Sequence, residues 1–394
     1  MKVPGELNPG SRILLGPGPS DCHPRVLRAM STPLLGHLDP EFLSLMEDVQ
    51  AMLRAVFQTD SKMTLPISGT GSAAMEAAVA NLIEPGEVAV VGVHGVFGGR
   101  IAAMVERAGG RAVKVEAPWG SPLDPEDIER ALKGDGAGAK LVAAVHAETS
   151  TGVLQPLAPL ARLAQQHGAL FLADTVTSLG GHPVDLKGWH VDVAFSGSQK
   201  CLGVPPGIAP LTFNERAMEV VSKRKEPCRS WYLDLGMIGS YWGTERVYHH
   251  TAPITMIYAL YEGLRVVLEE GLESRWERHR ENHVALVAGL EAMGFQMNVE
   301  REGERLWTLN AVTVPNGIDE AKVRKHLLEQ HGIEIGGGLG PLKGKIWRIG
   351  LMGYSSQRHN VFAVLAALEE ALHEQGRKQS PGAGVAAALE SYRG

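Results

Sequence analysis

The apolar positions of this chain fall into two alternating rhythms. Val88–Val93, Ala112–Val115, Leu141–Val145 and Leu170–Ala173 are short apolar runs, and Val191–Phe195 alternates around Asp192. Runs of this kind predict strands, the unbroken ones buried on both faces. Between them the spacing turns helical over Val96–Ala108, Asp124–Leu132 and Leu157–His167, with Asp124-Pro125 supplying a cap and first turn. Upstream, Phe42, Leu45, Met46, Val49 and Leu53 predict a helix from Pro40 to Phe57. This βαβα rhythm predicts an α/β fold, a mostly parallel sheet with helices on both faces.

The rhythm changes after Ile254. A long amphipathic helix is predicted to about Glu270, and another from Leu272 to Met293 beyond Gly271. A smaller α+β unit then reads as a Thr308–Val314 strand, an Asp319–His331 helix, an Ile346–Ile349 strand and a Gln357–Glu374 helix. We therefore expect an entry segment (1–22), a large domain (23–270), a small C-terminal domain (271–378) and a loosely attached tail (379–394).

Composition narrows the class. With 394 residues, 44% hydrophobic and 21% charged, the chain reads as an ordinary globular protein of two domains. A net charge of −6 and no long basic run argue against nucleic acid as a partner. No apolar span is long enough for a bilayer, and the first residues lack the apolar core of a signal peptide. Cys22, Cys201 and Cys228 are odd in number and far apart, which predicts a reducing cytoplasm rather than a disulfide framework. The fifteen histidines include no HExxH, and the adjacent His249 and His250 are expected on opposite sides of an extended chain, so no metal site is expected.

Three stretches carry candidate chemistry. Ser196-Gly197-Ser198-Gln199-Lys200 follows the Val191–Phe195 strand, and Asp174 follows Leu170–Ala173. One amine and one acid thus sit at the carboxyl edge of the sheet, where open α/β folds bind ligands. Ser68-Gly69-Thr70-Gly71-Ser72 opens an alanine-rich helix, whose free N–H groups and dipole suit a phosphate. The same letters read as GxGxxA, but the next strand ends in His94-Gly95 instead of the acid a dinucleotide ribose needs. A lysine, a carboxylate and a phosphate cup together suit pyridoxal 5′-phosphate (PLP), which needs a Schiff-base amine and an acid at its ring nitrogen. Read alone, Asp174 and Lys200 could equally be a structural ion pair, and Phe97 could stack on a flat ring or fill the core. Thr149 lies in His146-Ala147-Glu148-Thr149-Ser150-Thr151-Gly152 at the same sheet edge, which could reach a phenolic oxygen or merely turn the chain. Arg348, inside an apolar strand, needs an anion: a structural carboxylate or a substrate carboxylate.

Taken together, Leu14-Leu15-Gly16-Pro17-Gly18-Pro19, Ser68-Gly69-Thr70-Gly71, Glu148 to Pro156, Asp174 with Ser178-Leu179-Gly180-Gly181, Ser196 to Lys200, Tyr248-His249-His250-Thr251, Gly337 to Pro341 and Arg348 to Leu351 resemble a class V (fold type I) PLP-dependent aminotransferase. The resemblance is to the alanine–glyoxylate / serine–pyruvate aminotransferases and covers all but the C-terminal tail. It implies transfer of an amino group from alanine or serine to glyoxylate or pyruvate by a ping-pong route. Other donors (aspartate, phosphoserine, aminoethylphosphonate) are alternatives, and a nicotinamide-dependent dehydrogenase would leave Lys200 unexplained. A cysteine desulfurase would need a cysteine in the glycine-rich 331–345 stretch, which has none.

The same resemblance implies roles. Lys200 would carry the cofactor as an internal aldimine, and Asp174 would pair with its ring nitrogen. Thr70, Gly71, Ser72 and Gln199 would bind the phosphate, and Thr149 would approach the ring oxygen. Phe97 and Val176 would cover the two faces of the ring. Tyr248 and Thr251 would reach the cofactor of a second subunit in a homodimer. Arg348 would clamp the substrate carboxylate with the Gly18 backbone nearby. Phe97 and Ser72 stand where animal relatives carry tryptophan and histidine. The terminal Ser391-Tyr392-Arg393-Gly394 is no peroxisomal address.

Overall fold

The computed structural model describes residues 1, 3–377 and 380–393. Seven strands build the central sheet: β1 (Met63–Ser68), β2 (Val88–Val93), β3 (Arg111–Glu116), β4 (Leu141–Val145), β5 (Leu170–Asp174), β6 (Val193–Phe195) and β7 (Ile208–Phe213). Their order is β1-β7-β6-β5-β4-β2-β3, and only β7 runs antiparallel to its neighbours. The mostly parallel α/β sheet is therefore present, with one antiparallel strand that the apolar pattern did not mark. Pro210 sits in β7 directly opposite Pro66 of β1, and proline ordinarily argues against an interior strand.

Helices α1 (Pro40–Phe57), α2 (Gly71–Leu82) and α3 (Val96–Arg107) flank the sheet, and α4 (Ile254–Glu270) is followed directly by α5 (Leu272–Ala292). Asp39 caps α1 by accepting from the Glu41 N–H at 2.8 Å. The apolar stripe of α1 (Phe42, Met46, Val49, Leu53) is fully buried in a core that runs from Val26 to Val267. A second core gathers residues of the C-terminal third: strand β8 (Leu309–Thr313), helix α6 (Glu320–His331), strands β9 (Gly336–Gly337) and β10 (Ile346–Gly350), and helix α7 (Arg358–Glu374). Leu15 of the entry segment is buried in that second core. Ile13–Leu14 pairs in parallel with Ile333–Glu334, so the entry segment is stitched to the C-terminal layer before it reaches the sheet edge.

Two expectations are corrected here. The tail, expected to be loose, forms α8 (Ala383–Ser391), which lies across α5. The cause is small residues: a Cβ on Gly289 would stand 2.8 Å from the Gly384 carbonyl, so the two backbones approach as only glycines allow. Ala388 is fully buried, and the Tyr392 hydroxyl donates to Asn282 Oδ1 at 2.5 Å. Residues 378, 379 and 394 of the expected boundary and tail lie outside the described residues. His249 and His250, expected on opposite sides, turn toward each other with their Nδ1 atoms 2.7 Å apart, because the 248–251 segment is not extended strand.

Candidate active site

Lys200 sits in a loop folded back under β6. The Ser198 N–H donates to the Ile208 carbonyl at 3.3 Å, and the Val204 N–H to the Ser198 carbonyl at 3.1 Å. The entry segment closes over it, with the Ser20 N–H and hydroxyl donating at 2.9 Å to the Gln199 and Lys200 carbonyls. The Lys200 ammonium donates to the Pro17 carbonyl. Gly18 adopts φ +105°, and a Cβ there would collide with Lys200 Nζ, Cε and Cδ, so this turn of backbone is glycine-dependent. Lys200 is 8% exposed. Burial lowers its pKa to about 8, and Arg348 pushes the same way.

Asp174 ends β5, paired with Phe195 and Val145, so it belongs to the strand instead of following it. It is 2% exposed, and its Oδ1 accepts from the Val176 N–H at 2.9 Å. Burial raises its pKa to about 7. Among the described residues no side chain forms an ion pair with it, so a cationic N–H placed beside it would relieve its buried charge.

The glycine-rich turn stands beside these two groups. Thr70 is the extended N-cap of α2, and its side chain makes no cap hydrogen bond. Gly71 is buried against Val176, Ser196 and Gly197, which brings the cup, the Asp174 strand end and the Lys200 loop together. Ser72 Oγ accepts from Arg100 Nη1 at 3.0 Å, and the Arg100 guanidinium lies 4.8 Å from the centre of the Phe97 ring. Gln199 Oε1 is buried without a hydrogen-bond partner. A serine, an arginine and a helix N-terminus make a donor set for an anion, and the Gln199 amide beside them can add its NH2 group.

Thr149 is buried, its hydroxyl 2.6 Å from that of Thr177. Its carbonyl accepts from Arg348 Nη1 at 3.1 Å, and the Gly337 carbonyl accepts from Arg348 Nε at 2.8 Å. These two bonds aim the guanidinium across the sheet edge. Burial lowers the Arg348 pKa to about 10, while Glu148 opposes that shift.

Two residues escaped the sequence reading. Glu148 was seen only as part of a motif, yet it caps α3. Arg100 was not seen at all, although its spacing of three from Phe97 on one helix was available. Conversely, Tyr248 and Thr251 are exposed in the single chain, Tyr248 at 56%. His250 Nε2, 2.8 Å from Ser68 Oγ, anchors their segment beside the cup.

The remaining residues fit a flat cofactor with an anionic tail: an amine whose pKa burial lowers to about 8, a buried carboxylate, a donor cup, and Phe97 and Val176 beside it. Comparison with known proteins agrees. The family described as "Aminotransferase class-V" matches residues 16–357. The crystal structure of a ureidoglycine–glyoxylate aminotransferase from Bacillus subtilis is 44% identical, covering 99% of this chain and 100% of that one at a TM-score of 0.96. An alanine–glyoxylate aminotransferase from Nostoc sp. is 47% identical over 94% of this chain and 98% of that one, at a TM-score of 0.92. The alanine–glyoxylate aminotransferase of Drosophila melanogaster is 42% identical over 92% of each chain.

Proposed function

The chain belongs to the class-V aminotransferase family, and from that premise we propose that it moves the amino group of a small amino acid, alanine or serine, to glyoxylate or pyruvate with PLP as cofactor. The observation that carries the reading is the meeting of Lys200, Asp174 and Arg348 at one sheet edge, an amine, a carboxylate and a carboxylate-binding cation. Glyoxylate is the acceptor named for all three relatives above. The donor differs between them, and the 0.96 TM-score of the Bacillus protein keeps (S)-ureidoglycine as a second donor to test.

When bound, PLP supplies an aldehyde for amines and a ring that withdraws the electrons left when the Cα proton departs. Lys200, its pKa lowered by burial to about 8, gives up its proton readily and as the free amine can take the Cα proton and return it. Asp174 favours a protonated ring nitrogen, because that cation relieves its own buried charge. Thr70, Gly71, Ser72 and Gln199 hold the phosphate, and Arg100 adds a charge that the cup otherwise lacks. Phe97 and Val176 cover the ring faces, and Thr149 approaches its oxygen. Arg348 binds the substrate carboxylate with Gly18 close by, which orients the Cα–H bond. Arg348 comes from the 271–378 unit and Lys200 from the 23–270 unit, so substrate binding bridges the two.

We read the active unit as a homodimer in which Tyr248 and Thr251 reach the phosphate site of a second copy. Trp231 and Val247 are more than half exposed beside Tyr248, and Trp231 stacks on His249 at 4.5 Å. Such an exposed aromatic group is characteristic of an interface. No helix among the described residues is long and apolar enough to cross a membrane. A cytoplasmic location remains our proposal.

The visible absorption of purified protein tests the reading. A cofactor band that fades with L-alanine and returns with glyoxylate is expected. A band that ignores alanine and serine but responds to (S)-ureidoglycine would move the assignment to the second donor. No band after incubation with PLP would refute the role of Lys200.

A further inference from the structure

Away from the cleft, four titratable side chains of the C-terminal layer converge between two helices. His326 and His331 lie on α6, the latter its last residue, and Glu370 and Glu374 lie one turn apart on α7. Glu370 reaches both rings, its Oε1 3.6 Å from His326 Nε2 and its Oε2 3.3 Å from His331 Nε2. One ligand atom from each of these three residues falls within 4.8 Å of the others. On the far side of the ring, Glu374 Oε2 lies 2.9 Å from His326 Nδ1. The His326 side chain is 10% exposed, and its Nε2 is buried without a hydrogen-bond partner.

The geometry decides what that nitrogen is for. In the tautomer that donates Nδ1–H to Glu374, Nε2 carries a lone pair. A lone pair facing the Glu370 carboxylate is repulsive unless a positive charge lies between them. A carboxylate behind one imidazole nitrogen is also the arrangement that orients metal-binding histidines. Ligand atoms placed tetrahedrally around an ion of the zinc class stand about 3.4 Å apart; here each Glu370 oxygen stands 3.6 or 3.3 Å from one imidazole nitrogen, and one ligand atom from all three residues comes within 4.8 Å of the others, so small side-chain rotations close the set around an ion. Two imidazoles with one carboxylate suit a borderline transition cation, whereas magnesium and calcium prefer oxygen throughout.

We infer that His326, His331 and Glu370 form a binding site for a divalent transition cation of the zinc class, with Glu374 orienting His326 and the remaining coordination left to water. The ion clamps the end of α6 to α7. It does so where the chain turns at Gly332 into Ile333–Glu334, the segment paired with the entry strand, so its role is structural. No sequence motif announces it, because the ligands come from two helices.

Cobalt chloride is the probe, added to the full-length protein after removal of adventitious metal with a chelator. We expect visible cobalt d–d absorption that saturates at one ion per chain and is displaced by zinc. His331→Ala and Glu370→Gln should each weaken binding at least about tenfold with unchanged circular dichroism and transaminase activity, and Glu374→Gln about tenfold. Zinc should raise the thermal midpoint of the parent protein and not of Glu370→Gln. Cobalt binding equally well to His331→Ala and Glu370→Gln would place the ion at the cofactor pocket or a cysteine. Absence of saturable binding would mean that direct contacts between His326 and the carboxylates alone hold the cluster. Either result overturns the proposal.

Discussion

Glu148 Oε2 accepts a hydrogen bond from the backbone N–H of Phe97 at 3.1 Å. The same carboxylate accepts from the Ser150 N–H at 3.0 Å and its hydroxyl at 2.5 Å. Helix α3 receives no cap from its own Gly95, so an acid from another loop terminates it and meets its positive dipole end. That helix carries both Phe97 and Arg100. Glu148→Gln turns an acceptor into a mixed group facing donors, at a cost of about 1–3 kcal/mol. We expect PLP affinity to fall about tenfold or more, read by equilibrium dialysis, with the sheet intact by circular dichroism. Unchanged affinity would reduce Glu148 to a local turn residue.

Lys200 should react as an amine of pKa about 8, burial being the chief cause. Its neutral form is the nucleophile, so incorporation of PLP into the cofactor-free protein should accelerate as pH rises through 8 and then level. Stopped-flow absorbance gives the rate. A rate still climbing toward pH 10 would show an ordinary exposed lysine.

Arg348 offers a planar fork held by the Gly337 and Thr149 carbonyls. Arg348→Lys keeps the charge and loses the fork. A charge-assisted pair lost in a buried site costs about 1.5–3 kcal/mol, so kcat/KM for the amino donor should fall roughly ten- to hundredfold. PLP binding should hardly change. Equal losses in both would place Arg348 in the cofactor site.

Much of this site could be read along the chain. Asp174 ends an apolar strand, Lys200 lies in the loop that follows another, and the Ser68–Ser72 turn opens a helix, so local pattern and chemistry coincide. Glu148 was hidden because its function is to cap a helix 51 residues away, a relation made by the fold. Strand β7 was hidden by Pro210, whose missing N–H is harmless where it faces Pro66. The docking of the tail is not legible locally, because small residues read as flexible until another glycine stands opposite them.

Asp174 yields a prediction about stability. Its pKa rises from an ordinary 3.8 to about 7 on folding, mainly through burial. Between those values the folded chain holds a proton that the unfolded chain has lost. The cofactor-free protein should therefore lose stability as pH rises from about 4 to 7, by a few kcal/mol at most. Asp174→Asn mimics the protonated acid and should lack this slope, becoming the more stable of the two at pH 7.5 in urea melts. Loading PLP should reverse that ranking, because a cationic ring nitrogen favours the carboxylate. If the two cofactor-free proteins keep the same stability difference across this pH range, the burial argument fails.

The docking of α8 rests on the crossing of Gly289 and Gly384. A Cβ at 384 would meet the Gly289 carbonyl at 3.2 Å and the Met293 thioether more closely. Gly384→Val therefore has to push the two helices apart, an overpacking penalty of about 1–3 kcal/mol. Neither residue of the crossing belongs to the Lys200 cleft. We expect a lower thermal midpoint, proteolytic release of the C-terminal helix under native conditions, and a kcat equal to the parent's. Tyr392→Phe should weaken the same contact by about 1 kcal/mol, since it removes a single hydrogen bond to Asn282. If Gly384→Val resists protease as well as the parent does, the close crossing is not what holds the tail. A loss of kcat with the helix still attached would instead mean that α5 transmits strain from this crossing to the site.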